Sequence, residues 1–363
     1  MNTAKKMAKT PTQLQVITLI SKVFGFVRET VIARYFGAGM ETDAYFMALS
    51  IPNLIFASIG ASISTTFIPL YTQLLTSDGR STANRFANNL LNIISIICCF
   101  LLILGIIFSP NLVNLLAPGF SDEIYDLTVD ITRILFIGAI FSMVSSVLTG
   151  ILQSNERFLG PALVGFPYNI AIIIGCILFA KNYGIYALTI ATLIGTMGQA
   201  LIQVFFVKGK YSYETVLDFK DPYVKKLAIL IIPVLMGTAI GQINTIVDKA
   251  LASSLVQGSI SSINYSNRLI GFVQGIFIGS VTTVVYPFFS QLCAKENYRE
   301  LNQYISGSIN IFTMIMIPIT IITLIYSKEI VSIVFERGEF SKESVNLTAY
   351  ALKFLSLGLL PFA

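Results

Sequence analysis

Three ionisable residues, Lys22, Arg28 and Glu29, stand inside an otherwise apolar stretch that opens the run SKVFGFVRETVIARYFGAGMETDAYFMALSIPN, residues 21–53. A charge at the centre of a bilayer costs about 3 kcal/mol on insertion scales. Three within two helical turns must therefore face protein or water. Successive helical residues turn by about 100°, so Lys22, Gly25, Arg28 and Glu29 fall within an arc of about 120°. Gly25 leaves space beside the charges, and the helix has one wet, net-cationic face. Guanidinium groups meet phosphate oxygens through paired hydrogen bonds that a low-dielectric site strengthens. The chemistry expected is recognition of an anionic, phosphorylated ligand that also belongs in a membrane.

Three more polar stripes follow at helical spacing. One carries Asp43, Ser50, Asn53, Ala57, Gly60 and Ser64. A second carries Thr238, Gly241, Thr245, Asp248 and Ala252. The third carries Ser261, Asn264, Arg268, Gly271, Gly275, Gly279 and Thr282. Small residues let membrane helices pack closely, which explains the glycines but not Arg28, Asp248 or Arg268. The stripes are read as the lining of a polar cavity between two halves, where Arg28, Lys22 and Arg268 outweigh Glu29 and the inner carboxylates. A carrier of cationic drugs would instead use carboxylates and aromatics. Histidine is absent, so Na+ or H+ coupling would fall to carboxylates. Four cysteines without paired spacing argue against a disulfide framework or a zinc site. No glycine loop leads into Lys-Ser/Thr, so no built-in ATPase is expected, and no nucleophile–base or metal-ligand constellation points to an enzyme.

The elements that position these residues follow from composition. With 55% apolar and 12% charged residues and a mean hydropathy of +0.76, the chain reads as an all-α polytopic membrane protein. Ten spans are expected, at about 12–36, 43–74, 84–108, 124–150, 158–180, 184–207, 224–254, 259–291, 302–326 and 345–363. The last is still apolar at Ala363, and the chain is expected to continue. Lys5, Lys6, Lys9, Arg80, Arg85, Arg157, Lys208, Lys210, Lys220, Lys225, Lys226, Lys295 and Arg299 fall on the side of the N-terminus; only Lys181, Lys328, Arg337 and Lys342 fall opposite. That asymmetry predicts a cytoplasmic N-terminus.

The chain also repeats itself. Pro69 to Leu74 (PLYTQL) matches Pro287 to Leu292 (PFFSQL) at an offset of 218, while Glu29, Ala33 and Gly39 align with Asp248, Ala252 and Gly258 at 219. An even number of spans separates the copies, so both halves point the same way, as in parallel-repeat transporters. The expected lobes are residues 1–210, holding spans one to six, and 211–363, holding spans seven to ten.

The run GFVRETVIARYFGAGMETDAYFMALSIPN resembles the opening of the MurJ (MviN) lipid II flippases of bacteria, in the MOP superfamily, and Tyr265 to Leu269 (YSNRL) resembles an element of that family's eighth helix. The resemblance covers essentially the whole chain. It implies two six-helix lobes, two further helices in the complete protein that form a groove for the polyprenyl tail, and alternating access that carries lipid II from the inner to the outer leaflet of the cytoplasmic membrane for peptidoglycan synthesis and cell shape. It implies no cofactor beyond a coupling ion, lipid II and membrane lipids as partners, the cell-wall synthesis machinery as a candidate partner, and no nucleic acid. Arg28 and Arg268 match cavity arginines that hold the diphosphate. Glu29, Asp43 and Asn53 match other cavity positions, and Asp248 resembles a carboxylate of a proposed cation site. Lys22 stands where many members have arginine, Phe56 where many have another arginine, and Ala61 where many have glutamate. The alternative is a MOP-superfamily flippase of another undecaprenyl-linked saccharide.

Overall fold

The computed structural model describes the backbone of residues 2–209, 211–295 and 297–362 and the side chains of 13–209, 211–277, 285, 288–295 and 297–361. Gly279 and Thr282 of the third stripe therefore lie outside the described side chains. Every regular element among the described residues is helical: α1 (Asn2–Phe36), α2 (Met40–Ser77), α3 (Gly79–Ile107), α4 (Ser109–Leu116), α5 (Asp122–Ser154), α6 (Leu159–Leu163), α7 (Gly165–Tyr183), α8 (Ile185–Val207), α9 (Pro222–Ala252), α10 (Ser259–Ala294), α11 (Tyr298–Ile325), α12 (Ser327–Phe335), α13 (Lys342–Ser356) and α14 (Leu359–Phe362). Each expected span has its helix or, for α6–α7 and α13–α14, its pair of helices. Among the described residues, α2, α3, α5, α6–α7, α8, α9 and α11 are long and apolar enough to cross a membrane.

The repeat reappears as element order. α2, α3, α4 and α5 begin at Met40, Gly79, Ser109 and Asp122; α10, α11, α12 and α13 begin at Ser259, Tyr298, Ser327 and Lys342, at offsets of 219, 219, 218 and 220.

By packing the chain forms two units, residues 1–32 with 40–257, and residues 33–39 with 258–363. In the first, α2 packs against α5, α9 and α3, and α5 also carries α8, which carries α7. Its core includes a stack in which Phe67 lies 5.2 Å from Tyr71 and 5.6 Å from Phe86. In the second, α10 packs against α13 and α11, and α12 packs against α13. Tyr265, Phe335 and Phe340 are fully buried there, with ring centroids 5.1–5.6 Å apart. The Tyr265 hydroxyl donates to the carbonyl of Gly37 (3.0 Å).

The division in packing falls after Gln257, so α9 packs with the first unit. Side chains of α9 and α3 account for it. Lys249 Nζ donates to the Phe46 carbonyl of α2 (2.9 Å) and to Ser50 Oγ. The non-helical segment before α9 is pinned to α3 by amides. Asn88 donates to the Ser212 carbonyl (3.0 Å) and Asn92 to that of Val216 (2.8 Å), while Asn89 both donates to and accepts from the backbone of Asp218, each at 2.8 Å. Burial pushes the Tyr211 phenol above its ordinary range, so its hydroxyl stays protonated and donates to Asn88 Oδ1.

Candidate functional site

The charged face of α1 packs against α7 through small residues. A Cβ on Gly165 would lie 2.3 Å from Ser21 Oγ, and one on Gly25 would lie 3.9 Å from the Asn169 amide. Phe24 and Phe166 close the contact beside them, centroids 5.4 Å apart. The room expected beside Gly25 is thus taken by Asn169, which is 5% exposed. Its Nδ2 donates to the Ser21 carbonyl (3.4 Å), which turns its Oδ1 toward Arg28 Nη1 (3.1 Å).

Arg28 is held on three sides. Nη1 reaches Asn169, Nη2 donates to the Glu29 carboxylate, and the guanidinium lies over the Tyr168 ring, 5.1 Å from its centroid. The last is a cation–π geometry, stronger where water is excluded. The two side chains are 12% and 2% exposed. A buried pair of this kind is tolerable only when further hydrogen bonds satisfy its donors and acceptors, and Asn169 supplies one. Arg28 Nε has no hydrogen-bond partner among the described residues.

The other expected residues are distributed as follows. Asp43 is buried in the first turn of α2, where the positive end of the helix dipole favours a carboxylate. Asn53 is exposed to a cleft described below. Lys22 on α1 is exposed. Arg268 is exposed on α10 of the second unit, next to buried Leu269. Asp248 is exposed on α9, while its neighbour Lys249 is buried. The face of α9 that meets α2 holds Thr238 and Lys249, so the stripe read through Asp248 shares Thr238 with the packed face while Asp248 itself stays exposed. Phe56 is 3% exposed and meets Phe136 edge-on at 6.3 Å; the position where many relatives place arginine is here part of an apolar core. Among the described residues no three His, Cys, Asp or Glu side chains gather as a metal site.

Asn169, Tyr168 and Lys249 were not among the site residues read from the sequence. Asn169 left a signal, as an amide well inside the apolar span expected at 158–180. Tyr168 left none, because an aromatic in such a span is ordinary.

A family model described as lipid II flippase MurJ matches residues 32–363. The chain belongs to the MurJ lipid II flippase family. It is 31% identical to a probable lipid II flippase MurJ of Buchnera aphidicola subsp. Baizongia pistaciae, over 96% of this chain and 69% of that protein. It is 26% identical to the lipid II flippase MurJ of Burkholderia cenocepacia, over 94% of this chain and 68% of that protein. A solved structure of lipid II flippase MurJ in an inward closed conformation superposes with a TM-score of 0.83 at 27% identity, covering 96% of this chain and 73% of that one. An inward-facing multidrug resistance MATE transporter of the MOP superfamily superposes at 0.74 with 15% identity, over 95% of this chain and 81% of that one, a likeness of fold alone. The chain is accordingly a lipid II flippase of MOP architecture, a transporter and not an enzyme. Lipid II being the peptidoglycan precursor, its service is to the cell wall.

Proposed function

We propose that Arg28 and Arg268 bind the diphosphate of lipid II, that Lys22 adds charge, and that Glu29, Asp43 and Asn53 line the path of the headgroup during alternating access. The observation that carries this reading is the state of Arg28. Its fork is oriented by Glu29, Asn169 and Tyr168 within a membrane-spanning chain, and its Nε–H is still unspent among the described residues. That donor is buried, so a diphosphate oxygen would reach it as the site opens during alternating access, giving a charge-assisted bond about twice as strong as a neutral one.

The basic loops favour a cytoplasmic N-terminus in the bacterial cytoplasmic membrane, and hence delivery from the inner to the outer leaflet. The drive is the membrane potential or a cation gradient, with Asp248 the carboxylate for Na+ or H+. Each charge crossing is worth about 2.3 kcal/mol per 100 mV, which would draw an empty cationic cavity back inward. The cell-wall synthesis machinery is the candidate protein partner.

The test is rescue of a MurJ-depleted bacterium by the full-length gene beside Arg28→Ala at matched expression. The parent is expected to rescue and the variant to fail, with flipping lowered by about a hundredfold (about 2.7 kcal/mol). Rescue by both would place the diphosphate on other residues. A correctly inserted parent that fails would assign another undecaprenyl-linked saccharide as cargo. Flipping that persists after an ionophore collapses the potential would remove the electrical part of the drive.

A further inference from the structure

Beside Arg28 the first unit contains a cleft with a polar lining. It has two chambers, of about 180 Å³ and 350 Å³, that share Asn53, Ala139, Ser142 and Gln199. The larger alone falls in the usual size range of small-molecule sites. α2, α5 and α8 form most of its walls, and α7 contributes Tyr168. Neither chamber is lined by a charged residue.

Asn53, Ser64, Ser142, Ser145 and Gln199 all line it, and among the described residues none of their side chains has a hydrogen bond to protein. Thr149 also lines it and, unlike them, is fixed: buried Gln203 donates to its oxygen (2.7 Å), leaving its own proton to give away. Neighbouring hydroxyls behave differently. Ser146 and Thr196 bond back to their own helices (3.0 and 2.7 Å). Unsatisfied polar groups at bilayer depth are costly, so a row of unspent amides and hydroxyls marks a wall that meets a polar guest.

The guest is neutral. A cation would find no carboxylate, and an anion no lysine or arginine, on this wall. It also lies next to the diphosphate, because Tyr168 lines the cleft and carries Arg28 over its ring at 5.1 Å. In lipid II the group joined directly to the diphosphate is a saccharide, whose hydroxyls match the lining and whose C–H face suits an aromatic ring. The peptide is ionised and fits this wall less well. We propose that the cleft is a neutral saccharide subsite, with Gln199 and Ser142, shared by both chambers, as its central hydrogen-bonding residues. This rests on the assignment of lipid II as the cargo and of Arg28 as its diphosphate anchor.

The experiment measures binding of three lipids to the full-length protein in nanodiscs: undecaprenyl diphosphate, the same lipid bearing an uncharged disaccharide of N-acetylhexosamines, and lipid II. The disaccharide lipid should bind about tenfold tighter than the bare diphosphate, the worth of one or two net hydrogen bonds. Gln199→Leu and, as a milder change, Ser142→Ala should each narrow that gap to about threefold or less. Equal binding of the first two lipids by the parent would overturn the proposal and leave the cleft to water. A gain seen only with lipid II would overturn it in favour of the peptide. Variants that weaken all three lipids by one factor would also overturn it, as a general loss of the site. A parent that binds none of the three fails the lipid II reading itself, and the subsite falls with it.

Discussion

The segment from α3 to α5 and the segment from α11 to α13 run in step, each with a long helix, a short one, a loop, and a serine that begins the next long helix, Ser121 and Ser341. Their loops close on different partners. In the first, Gly119 N–H meets Ser253 Oγ (3.2 Å), and a Cβ on Gly119 would lie 2.5 Å from the Ser254 backbone, at the end of α9. In the second, Glu339 N–H donates to the Arg34 carbonyl (2.9 Å), and a Cβ on Gly338 would lie 2.2 Å from the same oxygen, at the end of α1. α1 and α9 are the helices that the repeat makes equivalent. Each half therefore grips the end of the other half's first helix, an exchange consistent with residues 33–39 packing in the second unit. A period in sequence reports which elements recur, and it is silent on which copy each one packs against.

Four sets of substitutions test this difference between the halves, all read as shifts in thermal unfolding of the purified protein. The largest effect is expected at the trio of Tyr265, Phe335 and Phe340 in the second unit. Phe335→Ala should cost about 3–5 kcal/mol, against about 2 or less for its counterpart Leu116→Ala, which is only partly buried. Comparable losses would mean that the two short helices are anchored alike. Next, Gly338→Ala should cost about 2–4 kcal/mol, because φ is +63° and backbone stands in the way. Gly119→Ala carries the close approach without the left-handed backbone and should cost less, about 1–3 kcal/mol; the reverse order would make proximity the governing factor.

Asn89→Ala releases both the N–H and the carbonyl of Asp218 and should cost about 1–2 kcal/mol. It should also speed hydrogen exchange over residues 211–218, and unchanged exchange there would show that the segment holds without its amide clamp. The smallest contrast lies at the helix starts. Ser341 Oγ accepts from Ser344 N–H (3.2 Å), whereas Ser121 makes no side-chain cap. Ser341→Ala should therefore cost about 1 kcal/mol and Ser121→Ala close to nothing. Equal effects would erase that distinction between the halves.

Much of the fold was legible before any coordinates. Spans read at 43–74 and 184–207 became Met40–Ser77 and Ile185–Val207, because a bilayer demands about 20 consecutive apolar residues and that demand is local. The short helices were not separable. α4 and α12 are apolar enough to merge with the spans before them, and only backbone geometry divides them. At the site, Arg28 and Glu29 could be read because charges in an apolar run have no other account. Asn169, 141 residues away, and Lys249, 203 residues from Phe46, could not be paired with their partners by any spacing rule.

The membrane class, the number and order of the long helices and the parallel repeat could all be read along the chain. Each of these depends on residue type and short-range period. Long-range packing alone settled that Asn169 and Tyr168 hold Arg28, that Lys249 rather than Asp248 is buried against α2, that α9 packs with the first unit, and that Asn53 opens on a wall of amides and hydroxyls. Those facts depend on which helix faces lie together, and that choice is made by side chains meeting across distances along the chain that no local pattern spans.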